Sequence, residues 1–304
     1  MKKLLRRLYK NEDGNILLLA AAALGGLLFM TGLVIDGGNL FTTKSHLQKT
    51  ANAAALSGAQ ELPLSQEAVT QIVNDVLSSH NESESLQEII YENGFSVNVV
   101  LEKNLPLFFL ALFGKESISI QVNAKAGLKE MSSTEGVVPL GIDESTNLEY
   151  GKSYPLKVGP GDSVEGFFGI LALEKKGAKA YGETLKYGYQ EKISIGETFL
   201  VQTGNISGAT RDGIQYRMDR CPYPEGQFHH RDCARVISII VYKPSIDKST
   251  VEVTGFAYFY ITENLNSKGE INGIFIKRTG SGTAGDVNGK TPADRGAYVV
   301  TLME

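Results

Sequence analysis

The sequence lacks the motifs that most often mark an enzyme. Its 304 residues contain no tryptophan, four histidines and two cysteines. Neither a G-x-S-x-G nucleophile elbow nor an H-E-x-x-H zinc motif occurs. Carboxylate pairs such as Glu82 and Glu84 lie in polar stretches that are typical of solvated surface. We therefore expect no enzymatic activity, no catalytic residue, no cofactor and no metal site.

A strongly basic surface is also missing. The formal net charge is −4 at pH 7, and the sequence pI is about 5.7. Because nucleic-acid binding needs concentrated positive charge, we expect no nucleic-acid partner. The basic residues that do cluster lie at the N-terminus, with no acid before Glu12: Lys2, Lys3, Arg6, Arg7 and Lys10.

An uncharged block of twenty residues follows, from Ile16 to Ile35. As a helix it would be about 30 Å long, which is the thickness of the hydrocarbon core of a bilayer. The preceding basic residues predict a cytoplasmic N-terminus, a single pass through the cell membrane and an extracytoplasmic remainder. The anchor residues are predicted to include Ile16, Leu17, Leu28, Phe29, Val34 and Ile35.

Three fates are open to this block. A secretory signal has an apolar core of about 7–15 residues and then a small-x-small site, and neither fits here. Cleavage after Gly14 would follow the prepilin pattern, but it would put Leu19 at the fifth mature position, where that pattern has a glutamate. The retained anchor is favoured, and cleavage after Gly14 stays open.

The helix is expected to continue from Asn39 to Leu62, with a kink at Gly37-Gly38. Its small and apolar residues recur at helical spacing on one side. This seam has two interpretations of equal weight, packing on the protein's own domain or packing against another helix, including a second copy. Its members are Leu40, Leu47, Ala51, Ala54, Ala55 and Gly58.

Residues 63–130 predict a small α+β region. Ser65 is expected to cap a helix, and 86–94 is interpreted as a shorter helical piece that ends at Asn-Gly. Alternating apolar residues predict strands over 95–101 and 118–126. Between them, the uncharged segment 105–114 is interpreted as a buried connection; a loop that dips into the membrane is the less favoured alternative.

The polar stretch 128–136 is interpreted as a break, and residues 131–304 as a second domain. Its many glycines and short apolar runs predict a mainly-β structure, with strands over 235–242, 251–261 and 271–278 and a last one at 297–302. The predicted fold class is α+β: a basic segment (1–14), an anchor and continuing helix (15–62), a small α+β region, and this Gly-rich β domain.

The N-terminal pattern resembles the Tad (tight adherence) pilus-assembly family of TadE/TadG-like proteins. The resemblance rests on the junction "NEDGN", the apolar helix ending in "GLVIDGG", and "LQKTANAAALSGAQEL". It covers about residues 6–62, and "PLFFLALFGKESISIQVNAKAG" is similar to that family's closing strand. The resemblance implies a membrane-tethered, non-catalytic subunit whose partners are other pilus or secretion-system components.

Cys221 and Cys233 are the only cysteines. Outside the cytoplasm a disulfide is the favoured prediction. A zinc site is the rival, because His229, His230 and Asp232 lie between them, but the spacing fits no common zinc pattern. Free thiols are the third alternative.

Three further motifs are weak. Gly280, Gly282 and Gly285 spell G-x-G-x-x-G, and 284–291 resembles a P-loop, but Pro292 excludes the helix that either needs. Asp143, Ser145 and Asn147 resemble an Asp-x-Ser-x-Ser metal site, with an Asx-type turn as the alternative.

The leading functional prediction is a membrane-anchored, non-enzymatic component of a Tad-type pilus assembly or secretion system. It would act through its extracytoplasmic domain, with self-association through the N-terminal helix as a further expectation. The alternative is a surface-exposed, adhesin-like binding protein outside any pilus system. An envelope hydrolase is a third class, without a recognised nucleophile.

Overall fold

A computed structural model describes residues 13–157, 168–202, 206–265 and 270–303. Most of the predicted basic segment lies outside these ranges. The first element is a helix of 47 residues, α1 (Asp13–Ala59), whose sequence contains no proline. It runs through Gly37-Gly38 without a break and ends three residues before the predicted limit, Leu62.

Three shorter helices follow: α2 (Gln66–Ser79), α3 (Ala178–Tyr187) and α4 (Ser207–Arg220). The Ser65 side chain accepts a hydrogen bond from the Ala68 N–H at 3.1 Å, which confirms the predicted cap of α2. The last two helices lie in the region predicted to be mainly β.

The described ranges contain fourteen strands. In chain order they are β1 (Leu86–Glu92), β2 (Ser96–Pro106), β3 (Ser117–Thr134), β4 (Val137–Asp143), β5 (Ser153–Lys157), β6 (Phe168–Ala172), β7 (Ile193–Ser194), β8 (Thr198–Val201), β9 (Val236–Pro244), β10 (Thr250–Ile261), β11 (Glu270–Ile276), β12 (Arg278–Thr279), β13 (Thr283–Ala284) and β14 (Ala297–Met303). They form two sheets, so the predicted α+β class is confirmed.

The first sheet has the order β1-β2-β3-β14-β12, and β7 and β13 pair with the far end of β3. Its apolar face carries Val97, Val99 and Leu101, which are fully buried against α1 and α2. The C-terminal strand β14 lies antiparallel to β3, with Tyr298 opposite Glu130. The end of the chain therefore completes the sheet that its N-terminal part begins.

The second sheet closes on itself. β10 pairs with β8 and with β9, and the path β10-β8-β6-β4-β9 returns to β10. One residue of β10, Gly255, lies at a register shift in its pairing with β9. Leu171 of β6, Tyr242 of β9 and Val251 of β10 belong to one apolar cluster of this five-strand ring. Ile142, Val241 and Phe259 belong to another cluster, which helices α3 and α4 cover through Leu185 and Ile214.

The predicted helical piece at 86–94 is wrong, because residues 86–92 form β1. Ile89 and Ile90 pair with Val99 and Asn98 of β2. Asn93 and Gly94 both have positive φ (51° and 72°) and, with Phe95, turn the chain between the paired residues Glu92 and Ser96. The same Asn-Gly pair ends helices and turns hairpins, and the adjacent β2 decides between the two.

The polar break predicted at 128–136 is also wrong, because β3 runs through it to Thr134. Met131, Ser132 and Ser133 are buried in this part of β3, where β7 and β13 pair with it. The predicted domain boundary at 130/131 thus falls inside one strand of 18 residues. This hydroxyl-rich stretch can be buried because residues 281–283 supply its polar partners: the Thr283 carbonyl accepts a hydrogen bond from Ser132, and the Ser281 carbonyl accepts one from Thr134.

Candidate functional site

The membrane-length helix is exposed along its first half. α1 is the one helix among the described residues that is long and apolar enough to cross a membrane. Only 6% of its apolar 18-residue stretch is buried. Leu17, Leu28, Val34 and Ile35 are 56–75% exposed, and Phe29 is 41% exposed. The side chain of Ile16 lies outside the described residues.

Asp36, at the end of the predicted anchor, is buried although most of this half of α1 is exposed. Its side chain is 3% exposed and accepts three backbone hydrogen bonds from the turn that joins β2 to β3. Phe108 N–H donates to Oδ1 at 2.9 Å, while Phe109 and Leu110 N–H donate to Oδ2 at 2.9 and 2.8 Å. The carboxylate thus fixes a distant turn of the chain against the helix.

Aromatic contacts hold the same turn against α1 at Phe29, seven residues before Asp36. The Phe29 ring makes edge contacts with Phe109 and Phe113, each with ring centroids 5.7 Å apart. A Cβ atom on Gly32 would overlap the Phe109 ring, so the close approach requires glycine there. The turn therefore lies beside the apolar part of α1 and not beyond the end of that part.

Segment 105–114, interpreted from sequence as a buried connection, is mostly exposed. Leu105 and Leu107 are buried, but Phe108, Leu112 and Phe113 are 69%, 77% and 64% exposed around a 3₁₀ turn at Leu110–Phe113. We call Leu107–Gly114 the apolar turn. The prediction failed because it treated uncharged sequence as core, whereas the strands on either side leave this hairpin tip projecting.

The second half of α1 is packed into the folded domain. Five seam residues are buried and Leu40 packs against the same core. Gly58 faces α2, where its Cβ position would be 2.8 Å from Val73 Cγ2. The seam therefore packs on this chain's own helix and sheet, which is one of the two interpretations. Its members are Leu40, Leu47, Ala51, Ala54, Ala55 and Gly58.

A buried carboxylate that sequence reasoning missed ties α1 to the sheet. Glu82 is 4% exposed, and its side chain accepts from Lys103 Nζ and Ser85 Oγ, both at 2.6 Å. His46 Nε2 of α1 lies 3.5 Å away. Burial raises the pKa of Glu82, but the hydrogen bonds from Lys103 and Ser85, together with the positive charge of Lys103, outweigh this effect and hold the pKa below its usual value. The interpretation of Glu82 as solvated surface is wrong; Glu84 is exposed, as predicted.

The disulfide between Cys221 and Cys233 is present, with Cα atoms 4.9 Å apart. It closes the loop after α4. Arg278 donates to the carbonyls of Phe228 and His230 in this loop, and Arg231 forms an ion pair with Glu61 at 3.1 Å. The loop thereby contacts the turn that follows α1. The two sulfurs are bonded to each other, so neither cysteine can supply the thiolate that the alternative zinc site would need.

The remaining motifs form ordinary turns. Asp143 Oδ1 accepts from the N–H and the hydroxyl of Ser145, which is the Asx-type turn. Gly280 and Gly282 lie between β12 and β13, and Gly285 follows β13, ahead of a bridge between Val287 and Lys290. No helix lies among the described residues there. Within the described residues, no group of three His, Cys, Asp or Glu is placed to hold a metal ion.

The helix and its docked turn define a class: proteins in which a membrane-length helix is continuous with an α+β domain. Residues 14–61 match the model of the family described as "Putative Flp pilus-assembly TadE/G-like", which confirms the resemblance for the N-terminal part. This segment coincides with α1. Comparison with curated proteins gives no match, and no solved structure matches either.

Proposed function

We propose that this protein is a membrane-anchored, non-enzymatic component of a Tad-type pilus assembly or secretion system. Its N-terminus lies in the cytoplasm, and its α+β domain acts outside. The observation that carries the proposal is the family match over α1, a helix whose first half is exposed and apolar and whose second half forms part of the domain core.

The contacts of Asp36 and Gly32 support a retained anchor. Removal of the apolar block by signal peptidase would take away the Gly32 surface and the Phe29 ring that hold the apolar turn. Cleavage after Gly14 would leave all of these contacts in place. The intact mass of the protein from membranes tests this directly.

The disulfide supports an extracytoplasmic domain, because disulfides persist in oxidising compartments. A C-terminal alkaline phosphatase fusion should be active, and a matched fusion to green fluorescent protein should be dark. The reverse pattern would overturn the orientation. Alkylation of the exported protein should label neither cysteine before reduction and both afterwards; two reactive thiols without reductant would contradict this location.

Deletion of the gene in its host tests the pilus assignment. We expect fewer or no surface pili by electron microscopy, with restoration by the full-length chain and not by a chain that lacks the domain after residue 62. Normal pili together with reduced adherence would instead favour the adhesin-like alternative.

A further inference from the structure

The apolar turn, Leu107–Gly114, lies beside the part of α1 that is predicted to cross the membrane. Besides Asp36, it contacts Phe29 and Gly32 of the helix, which precede Asp36 by seven and four residues. At about 1.5 Å per residue these lie ~10 and ~6 Å below Asp36 along the helix axis. A bilayer that covers Leu28 to Ile35 must therefore meet the turn at the same depth.

The exposed surface of the turn is suited to lipid. Phe108, Leu112 and Phe113 are exposed, and the Phe113 ring contacts Phe29 on α1, a helix whose neighbouring Met30 is exposed as well. The turn contains no charged residue, and charge returns only at Lys115 and Glu116, both exposed. An apolar patch bounded by charge is the pattern of a segment that enters the interface by about 5–10 Å.

Most backbone N–H groups of the turn have the partners within the protein that insertion requires. In hydrocarbon, non-helical backbone is tolerated only when its polar groups have partners within the protein. Here Asp36 accepts three N–H groups, the Glu116 carbonyl accepts that of Leu107, and carbonyls inside the turn accept those of Leu112, Gly114 and Lys115. The buried Asp36 carboxylate is itself satisfied by these donors.

We propose that the apolar turn inserts into the bilayer leaflet next to the domain, as a second membrane contact beside α1. Asp36 and Gly32 set its depth by clamping it to the helix. The domain is thereby held at a fixed height and orientation on the membrane instead of pivoting on one helix. This inference rests on the proposed anchoring by α1.

The test uses the full-length protein in phosphatidylcholine–phosphatidylglycerol vesicles, with one added cysteine carrying an environment-sensitive fluorophore. The native cysteines are bonded to each other and do not react. L112C probes the turn, L28C is the reference inside the anchor, and I246C is the control on a fully exposed apolar residue remote in sequence from both. Quenching is measured with spin-labelled acyl chains and with aqueous iodide.

We expect the L112C label to have blue-shifted emission and to be quenched by the acyl chains to a degree comparable to L28C, whereas I246C is quenched only by iodide. Quenching of L28C but not L112C by lipid would overturn the insertion and leave the anchor standing. Lack of lipid quenching at both would overturn the two together. A turn label shielded from both quenchers would mean that a protein surface, such as a second copy, covers it. If L112C fails to fold, F113C replaces it.

Discussion

At the scale of single residues, Asp36 fixes the apolar turn with two oxygens that serve three donors. In Asp36→Asn, one of these oxygens becomes an amide that donates, so at least one of the three N–H groups faces another donor. We expect faster hydrogen exchange across Leu107–Lys115 in detergent micelles. Asp75→Asn, on the exposed side of α2, is the matched control and should leave this exchange unchanged. Equal protection in both variants would contradict the clamp.

Glu82 predicts a specific dependence of stability on pH. Since its pKa is lowered in the folded state, its ionised form contributes stability above the usual carboxyl pKa, and this is lost as pH falls through the lower folded value. Glu82→Gln should lower the unfolding free energy at pH 7 by about 1–3 kcal/mol, because Lys103 loses its charged partner.

The difference between Glu82→Gln and the parent protein should vanish at acid pH, where both carry a neutral side chain at this position. Glu84→Gln is the matched control, two residues away and exposed, and should follow the parent at every pH. Thermal unfolding of the full chain across a pH series gives the measurement. A constant gap between parent and Glu82→Gln would show that ionisation is not what stabilises this site.

At the scale of elements, two glycines of α1 predict opposite effects of substitution by alanine on stability. A Cβ at Gly58 would come within 2.8 Å of Val73 in α2, whereas one at Gly37 would meet nothing within 4 Å. Gly58→Ala should therefore destabilise by about 1–3 kcal/mol through overpacking. Gly37→Ala should be neutral or stabilise by up to about 1 kcal/mol, because alanine is the better helix former.

Chemical denaturation of both glycine variants in the same detergent gives the comparison. If Gly58→Ala were as stable as Gly37→Ala, the seam would not be packed against α2. That result would favour the other interpretation, in which the seam packs against another copy.

At the scale of the whole molecule, the two sheets depend on each other through β3 and β14. A chain ended after Gly296 lacks β14, which pairs with β3 over Tyr298–Met303 and buries Tyr298. We expect loss of cooperative unfolding and recovery in aggregates, because the middle of β3 gains an unpaired edge. A chain ended after Met303 is the control. A folded first region in the shorter chain would instead support the predicted division at 130/131.

Sequence patterns predicted those features that depend on local order. The length of the uncharged block indicates a membrane-length helix, the alternation over 95–101 and 118–126 predicts β2 and β3, and Ser65 before an apolar run predicts a cap. The two cysteines left a small set of alternatives, which the separation of their Cα atoms resolves in favour of a bond. Each of these follows from residues close in sequence or from a count.

The tertiary structure decided what depends on partners far along the chain. Residues 86–92 become a strand because β2 lies beside them, Glu82 is buried because Lys103 reaches it, and 128–134 stays extended because β14 and β13 cover it. The apolar turn is fixed on α1 by Asp36, more than seventy residues earlier. The sequence alone determined that a helix fits the bilayer, because length and composition are local properties. Where the rest of the chain meets that helix was decided by contacts between residues far apart in sequence, which no local pattern encodes.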